Sequence, residues 1–130
     1  MNPELPLLET SNLSKHYGGV VALSAVDTRV HPGRIFSLIG PNGAGKTTLF
    51  NCLTGFNRPT EGRIEFQGHS LVGMRPDQIT AFGLARTFQN IRLFSQLTVL
   101  DNVKIGRHGC SPSHFWGAIF RSKKQTSAEA

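Results

Sequence analysis

The sequence predicts an α/β fold in which a buried strand feeds a glycine-rich phosphate loop and a helix, with antiparallel strands ahead of them. Three observations carry this. Residues 35–39, IFSLI, are almost continuously apolar, the pattern of a parallel-sheet strand covered on both faces. Residues 40–48, GPNGAGKTT, follow at once and fit G-x-x-x-x-G-K-[ST] at every fixed position. Residues 26–30 alternate instead, with Val26, Thr28 and Val30 against Asp27 and Arg29, as in a half-exposed antiparallel strand.

The remaining elements follow in chain order. His31-Pro32-Gly33 is a turn between the two kinds of strand. After the loop, residues 46–54 should be helical, with Leu49, Phe50 and Leu53 on one face and Gly55 as the C′ stop. Residues 63–66, RIEF, alternate and read as an edge strand. Arg75-Pro76-Asp77 opens a short helix, with Pro76 near N1 and Asp77 in the first turn, where the helix dipole favours an acid. Ile79 and Phe82 form its buried side and Gly83 ends it. Residues 84–88 read as a short strand. Thr98-x-x-Asp101 resembles a capping box, with Val99, Leu100 and Val103 behind it. No internal repeat is visible, and the polar tail SKKQTSAEA is expected to fray.

The totals narrow the function classes. A chain of 130 residues suits one domain and can bury a core without staples. Two cysteines, Cys52 and Cys110, and an N-terminus without a basic or long apolar run argue for a reducing, intracellular setting. Nothing approaches 18 consecutive apolar residues, so no spanning helix is expected. The net charge of +6 invites a nucleic-acid reading, yet no basic run is interleaved with stacking aromatics. Phosphate ligands and membrane-surface partners suit a basic domain as well. Nucleic acid is not expected as a partner.

The loop has a specific chemistry. A triphosphate needs several donors converging on one small volume. Gly40, Gly43 and Gly45 let the backbone turn and approach closely because no Cβ intervenes. With Asn42 and Ala44 they carry successive N–H groups that form an anion nest, and Pro41, which has no N–H, belongs to the same cradle as a turn residue. The loop ends at a helix N-terminus, where the free N–H groups of the first turn, Thr48 included, add partial positive charge. Lys46 supplies a full charge to the β- and γ-phosphates. The Thr47 hydroxyl is a hard oxygen ligand suited to Mg²⁺. The expected cofactors are therefore ATP and Mg²⁺. The competing reading, a glycine-rich turn with a chance lysine, fits poorly between a buried strand and an amphipathic helix.

The phrases SKHYGGVVAL, PGRIFSLIGPNGAGKTTLFNCLTGFNRPTEGRIEFQG and GLARTFQNIRLFSQLTVLDNV resemble the ATP-binding subunit of ABC transporters. NCLTGF and ARTFQNIRLF are most similar to the branched-chain amino acid importers of that family. The resemblance covers roughly residues 7–107. It implies the P-loop core of an ABC nucleotide-binding domain with an N-terminal antiparallel β subdomain. Residues 1–107 would be the N-terminal part of that domain, and residues 108–130 the start of its helical subdomain. It implies that Tyr17, the one tyrosine of the chain, stacks on adenine; the alternative is a packing or turn tyrosine. It implies that Gln89 touches Mg²⁺ and the attacking water and links nucleotide to permease, so that Lys46 and Gln89 serve catalysis and Thr47 and Gln89 the metal. A surface glutamine at a strand end is the alternative. Arg86 and Arg92 read as surface or ion-pairing residues. Expected partners are membrane permease subunits and a second ATP-binding subunit, at the cytoplasmic face of the plasma membrane.

Two further clusters have no assigned role. Phe115, Trp116, Ile119 and Phe120, followed by Arg121, Lys123 and Lys124, either pack on further chain or dock on a permease or membrane surface. His108, Cys110 and His114 lack the regular spacing and fourth ligand of a metal site. The family's signature segment, its strand ending in Asp-Glu and its late histidine are absent from these residues. The expectation is therefore an N-terminal portion of an energy-coupling subunit that is an ATPase at full length, ending before the signature and Walker B segments and so without the hydrolytic second half. A binding-only remnant and a soluble, non-transport ABC protein are the alternatives.

Overall fold

The computed structural model describes residues 5–88 and 93–108. Gln89, Arg92, Cys110, His114, the cluster around Trp116 and the polar tail lie outside the described residues. The chain divides into two compact units, Met1–Arg86 and Thr87–Ala130.

The first unit is organised by a four-stranded sheet of order β2-β1-β3-β4, antiparallel at each pairing. Strand β1 (Leu8–Tyr17) turns through Gly18 and Gly19 into β2 (Val20–Val30), with register from Leu8 opposite Val30 to Tyr17 opposite Val20. The other edge of β1 pairs with β3 (Glu61–Phe66), and β3 pairs with the two-residue β4 (His69–Ser70). The expected edge strand at residues 63–66 is thus an inner strand of the sheet.

β1 reads LETSNLSKHY and has too few apolar residues to announce itself. Its buried polar groups find partners instead, as buried hydroxyls must. The Thr10 hydroxyl donates to the Val26 carbonyl at 3.1 Å, and the Ser14 hydroxyl accepts the Ala25 N–H at 2.9 Å. In β2 the alternation of Val26, Thr28 and Val30 appears as alternating partial burial.

Helix α1 (Lys46–Leu53) packs Leu49 and Cys52 into a core with Leu13, Leu23, Ile64, Phe66, Leu71 and Ile79. Thr54 caps it and Gly55 follows at φ 75°, so the expected stop is in place. Phe50, expected on the buried face, is exposed. Helix α2 (Pro76–Ala81) carries Pro76 at its start and Asp77 in its first turn, as the sequence suggested. The Arg75 N–H donates to Gln78 Oε1 at 2.9 Å, and Ile79 is buried. Phe82 is partly exposed and meets Phe66 edge-on at 6.2 Å.

Two expected strands are absent. Residues 35–39 have no regular structure, and Ile35 and Ile39 are 100% and 92% exposed. A parallel strand is held by neighbours on both sides, and no described segment pairs with this one. Residues 84–88 are likewise irregular; Leu84 donates its N–H to the Ile79 carbonyl and leans on the core.

The described part of the second unit contains α3 (Val99–His108). The Thr98 hydroxyl accepts the Asp101 N–H at 3.2 Å and donates to the Asp101 carboxylate at 2.7 Å, which anchors the helix start as expected. Asn102 Nδ2 donates to the Phe94 and Thr98 carbonyls, fixing the preceding turn. Val99, Leu100 and Val103, expected behind the cap, are exposed.

Candidate functional site

The phosphate-loop geometry starts at Gly45. This residue is the N-cap of α1 and sits at φ 83°, in the left-handed region. A Cβ there would lie 2.4 Å from the Ala22 carbonyl oxygen and 3.0 Å from Leu23 Cδ2. Only glycine lets the loop close this tightly against β2. Gly43 is also left-handed, at φ 84°, but open space surrounds it. The Ala44 N–H returns to the Pro41 carbonyl at 3.3 Å and closes the loop on itself.

Helix α1 then presents its start to the loop. Its first interior bond runs from the Leu49 N–H to the Gly45 carbonyl at 2.9 Å. The N–H groups of Lys46, Thr47 and Thr48 precede that bond and have no helical acceptor. No acidic residue lies in the first turn and no side chain caps it. Three donors and the positive end of the helix dipole therefore stand together without a built-in anion. Lys46 Nζ donates to the carbonyls of Gly40 and Pro41 at 2.6 and 2.7 Å. The ammonium is thus held across the loop by two neutral acceptors that phosphate oxygens can replace with charge-assisted bonds. Thr47 is exposed, with its hydroxyl beside the same helix start, and Thr48 is partly buried.

These residues fit a triphosphate and a hard cation. The cradle offers amide donors and an ammonium, and its close contact excludes a Cβ at Gly45. Pro41, which has no N–H, and Asn42 sit exposed at its rim.

Tyr17 ends β1 and is 46% exposed. It pairs with Val20, two positions along β2 from the Ala22 carbonyl that Gly45 touches. The aromatic therefore sits on the strand paired with the one that walls the loop. The Tyr17 hydroxyl accepts a hydrogen bond from Asn57 Nδ2. Lys15 Nζ lies over the ring, 5.0 Å from its centre. Arg86 donates to Asn51 Oδ1 at 2.8 Å, and its guanidinium lies 5.9 Å from the Phe50 ring. That guanidinium ties residue 86 to α1.

Sequence reasoning missed Ala22, Asn57 and Lys15. Ala22 acts through its backbone, which no side-chain motif can reveal. The contacts of Asn57 with Tyr17 and of Lys15 with Arg58 depend on a turn that brings together residues 40 and 43 positions apart. Elsewhere, burial pushes the Cys52 thiol pKa up. Hydrogen bonding from Arg75 holds the Asp77 carboxyl below its ordinary range. Among the described residues no cluster of His, Cys, Asp and Glu could hold a metal, and no helix is long and apolar enough to cross a membrane.

A glycine-rich loop closed on a sheet strand and opening a helix defines a nucleotide-binding cassette, and comparison assigns the family. The profile of the family described as "ABC transporter" matches residues 23–130, and the chain belongs to that family. Within it, the chain is similar to the high-affinity branched-chain amino acid transport ATP-binding protein BraF of Pseudomonas aeruginosa, at 42% identity over 90% of this chain and 46% of BraF. It is 48% identical to LivG of Escherichia coli, of the same description, over 79% of this chain and 40% of LivG. Among solved structures it resembles MJ1267, an ATP-binding cassette of an ABC transporter, in its ADP conformation, with TM-score 0.73, 35% identity, and coverage of 90% of this chain and 46% of that one. A nucleotide-free cassette aligns with TM-score 0.72 and 35% identity over 96% of this chain and 49% of that one. The chain spans less than half the length of these relatives.

Proposed function

We propose that this chain forms the phosphate-gripping, N-terminal part of the ATP-binding subunit of a branched-chain amino acid importer, with residues 1–107 in the nucleotide-binding domain proper. The observation that carries this is the cradle at residues 40–48. Gly45 is locked against Ala22, Lys46 bridges the loop, and three amides open at the helix start. The names of BraF and LivG support the transport assignment.

In this reading the amides of residues 43–48 and the Lys46 ammonium hold the β- and γ-phosphates. Lys46 exchanges the Gly40 and Pro41 carbonyls for phosphate oxygens. Thr47, with Gln89, would hold Mg²⁺, which supplies neutralisation of the charge that develops on the phosphates. Tyr17 offers a ring face to adenine. Permease subunits and a second ATP-binding subunit are the proposed partners, with the subunit peripheral on the cytoplasmic face of the membrane.

Calorimetric titration with Mg²⁺-ATP tests this. The expected result is saturable binding that falls at least roughly tenfold in Lys46→Ala, as the loss of a charge-assisted contact implies. Equal binding by the folded variant would refute it.

A further inference from the structure

Tyr17 is held by more than its own strand. Its hydroxyl accepts from Asn57 Nδ2, and Asn57 is itself fixed, its N–H donating to the Asn51 carbonyl at 3.0 Å. Lys15 Nζ donates to the Arg58 carbonyl at 2.8 Å while standing over the Tyr17 ring. The His16 N–H donates to Thr60 Oγ1 at 3.0 Å, and the Thr60 N–H donates to the Ser14 carbonyl at 2.9 Å. The turn after α1 is thus laced to the last residues of β1. That helix begins at the phosphate cradle and ends at this turn, eight residues on, a rise of about 12 Å.

We infer that Asn57 and Lys15 are positioning residues for the nucleobase. They act through Tyr17 and do not touch phosphate. Asn57 stops the phenol from turning about its χ angles. Lys15 covers one face of the ring, which leaves the other face for a purine. α1 then links the grip on the phosphates to the platform for the base, so one rigid element sets their separation. A flexible aromatic would lose entropy each time it stacked; a pinned one has already lost it. The inference rests on the nucleotide reading above and goes beyond it by separating base recognition from phosphate recognition.

The test compares Mg²⁺-ATP with inorganic tripolyphosphate as ligands of the full chain. Tyr17→Leu should weaken ATP by roughly 5- to 100-fold, the range of base–aromatic stacking. Asn57→Ala and Lys15→Met should each weaken ATP by about 3- to 10-fold, part of that loss. Tripolyphosphate binding should stay unchanged in all three, which also reports that each variant is folded. Asn57→Asp, whose carboxylate accepts a bond from the phenol, should restore most of the ATP affinity. The double variant Asn57→Ala/Tyr17→Leu should bind ATP no worse than Tyr17→Leu alone. Wild-type ATP affinity in Asn57→Ala and Lys15→Met overturns the inference. So does equal loss of ATP and tripolyphosphate, or an additive double variant. A wild-type chain that binds tripolyphosphate and ATP equally overturns the inference alone. One that binds neither overturns the nucleotide reading and the inference with it.

Discussion

A Cβ on Gly45 would stand 2.4 Å from the carbonyl oxygen of Ala22. The backbone of the glycine-rich loop thus approaches β2 too closely for any side chain at residue 45. Gly45→Ala therefore combines left-handed strain with a clash against backbone, which cannot move aside as a flexible side chain would. The strain alone is about 1–2 kcal/mol. With the clash, a loss of about 2–4 kcal/mol is expected by urea unfolding. Gly43→Ala, equally left-handed but in open space, should cost only the strain. A similar cost for both would show that the Ala22 contact is unimportant.

Ile64 is fully buried and Ile79 nearly so, and both belong to the core beneath the sheet. Ile64→Ala should cost about 2–5 kcal/mol, the range for emptying a packed core site. Val99→Ala, at 84% exposure on α3, should stay within about 0.5 kcal/mol. Chemical denaturation of both variants checks the contrast.

Cys52 is 3% exposed, and burial raises its pKa above the ordinary thiol value. The sign follows by linkage: at alkaline pH the unfolded thiol loses its proton first, so the unfolded state gains stability. The contribution of Cys52 is full below the ordinary thiol pKa, about 8.5, and is lost as pH rises toward the raised native value. Stability of the wild type minus that of Cys52→Ala should therefore fall across this alkaline window. A flat difference would mean that the native thiol titrates normally.

The elements legible in the sequence were those whose signals are local. The loop at residues 40–48 declared itself through fixed glycines and a lysine. Gly55 marked the helix stop, Pro76 and Asp77 a helix start, and Thr98 with Asp101 a cap. β1 was not legible, because Thr10, Ser14 and their neighbours are polar and are satisfied only by strands distant in sequence. Residues 35–39 failed in the opposite way. Their apolar run specifies a strand buried on both faces, but a strand needs partners, and the described sheet offers none. Phe50 and Phe82 follow the helix period, yet helix ends and the reach of a small core leave them exposed. The candidate site divides along the same line: the glycine-rich turn into α1, the proposed phosphate cradle, was readable as a local motif, while the contacts of Asn57 and Lys15 with Tyr17 depend on tertiary structure.

The central claim is that the backbone amides of this loop hold phosphate. Its most direct test is an amide-resolved NMR titration of the isotope-labelled chain with Mg²⁺-ATP. Saturable shifts centred on the N–H groups of Gly43, Gly45, Lys46, Thr47 and Thr48, and lost in Lys46→Ala, are predicted. Saturation with those amides unmoved, or no saturable change in a folded sample, would contradict it.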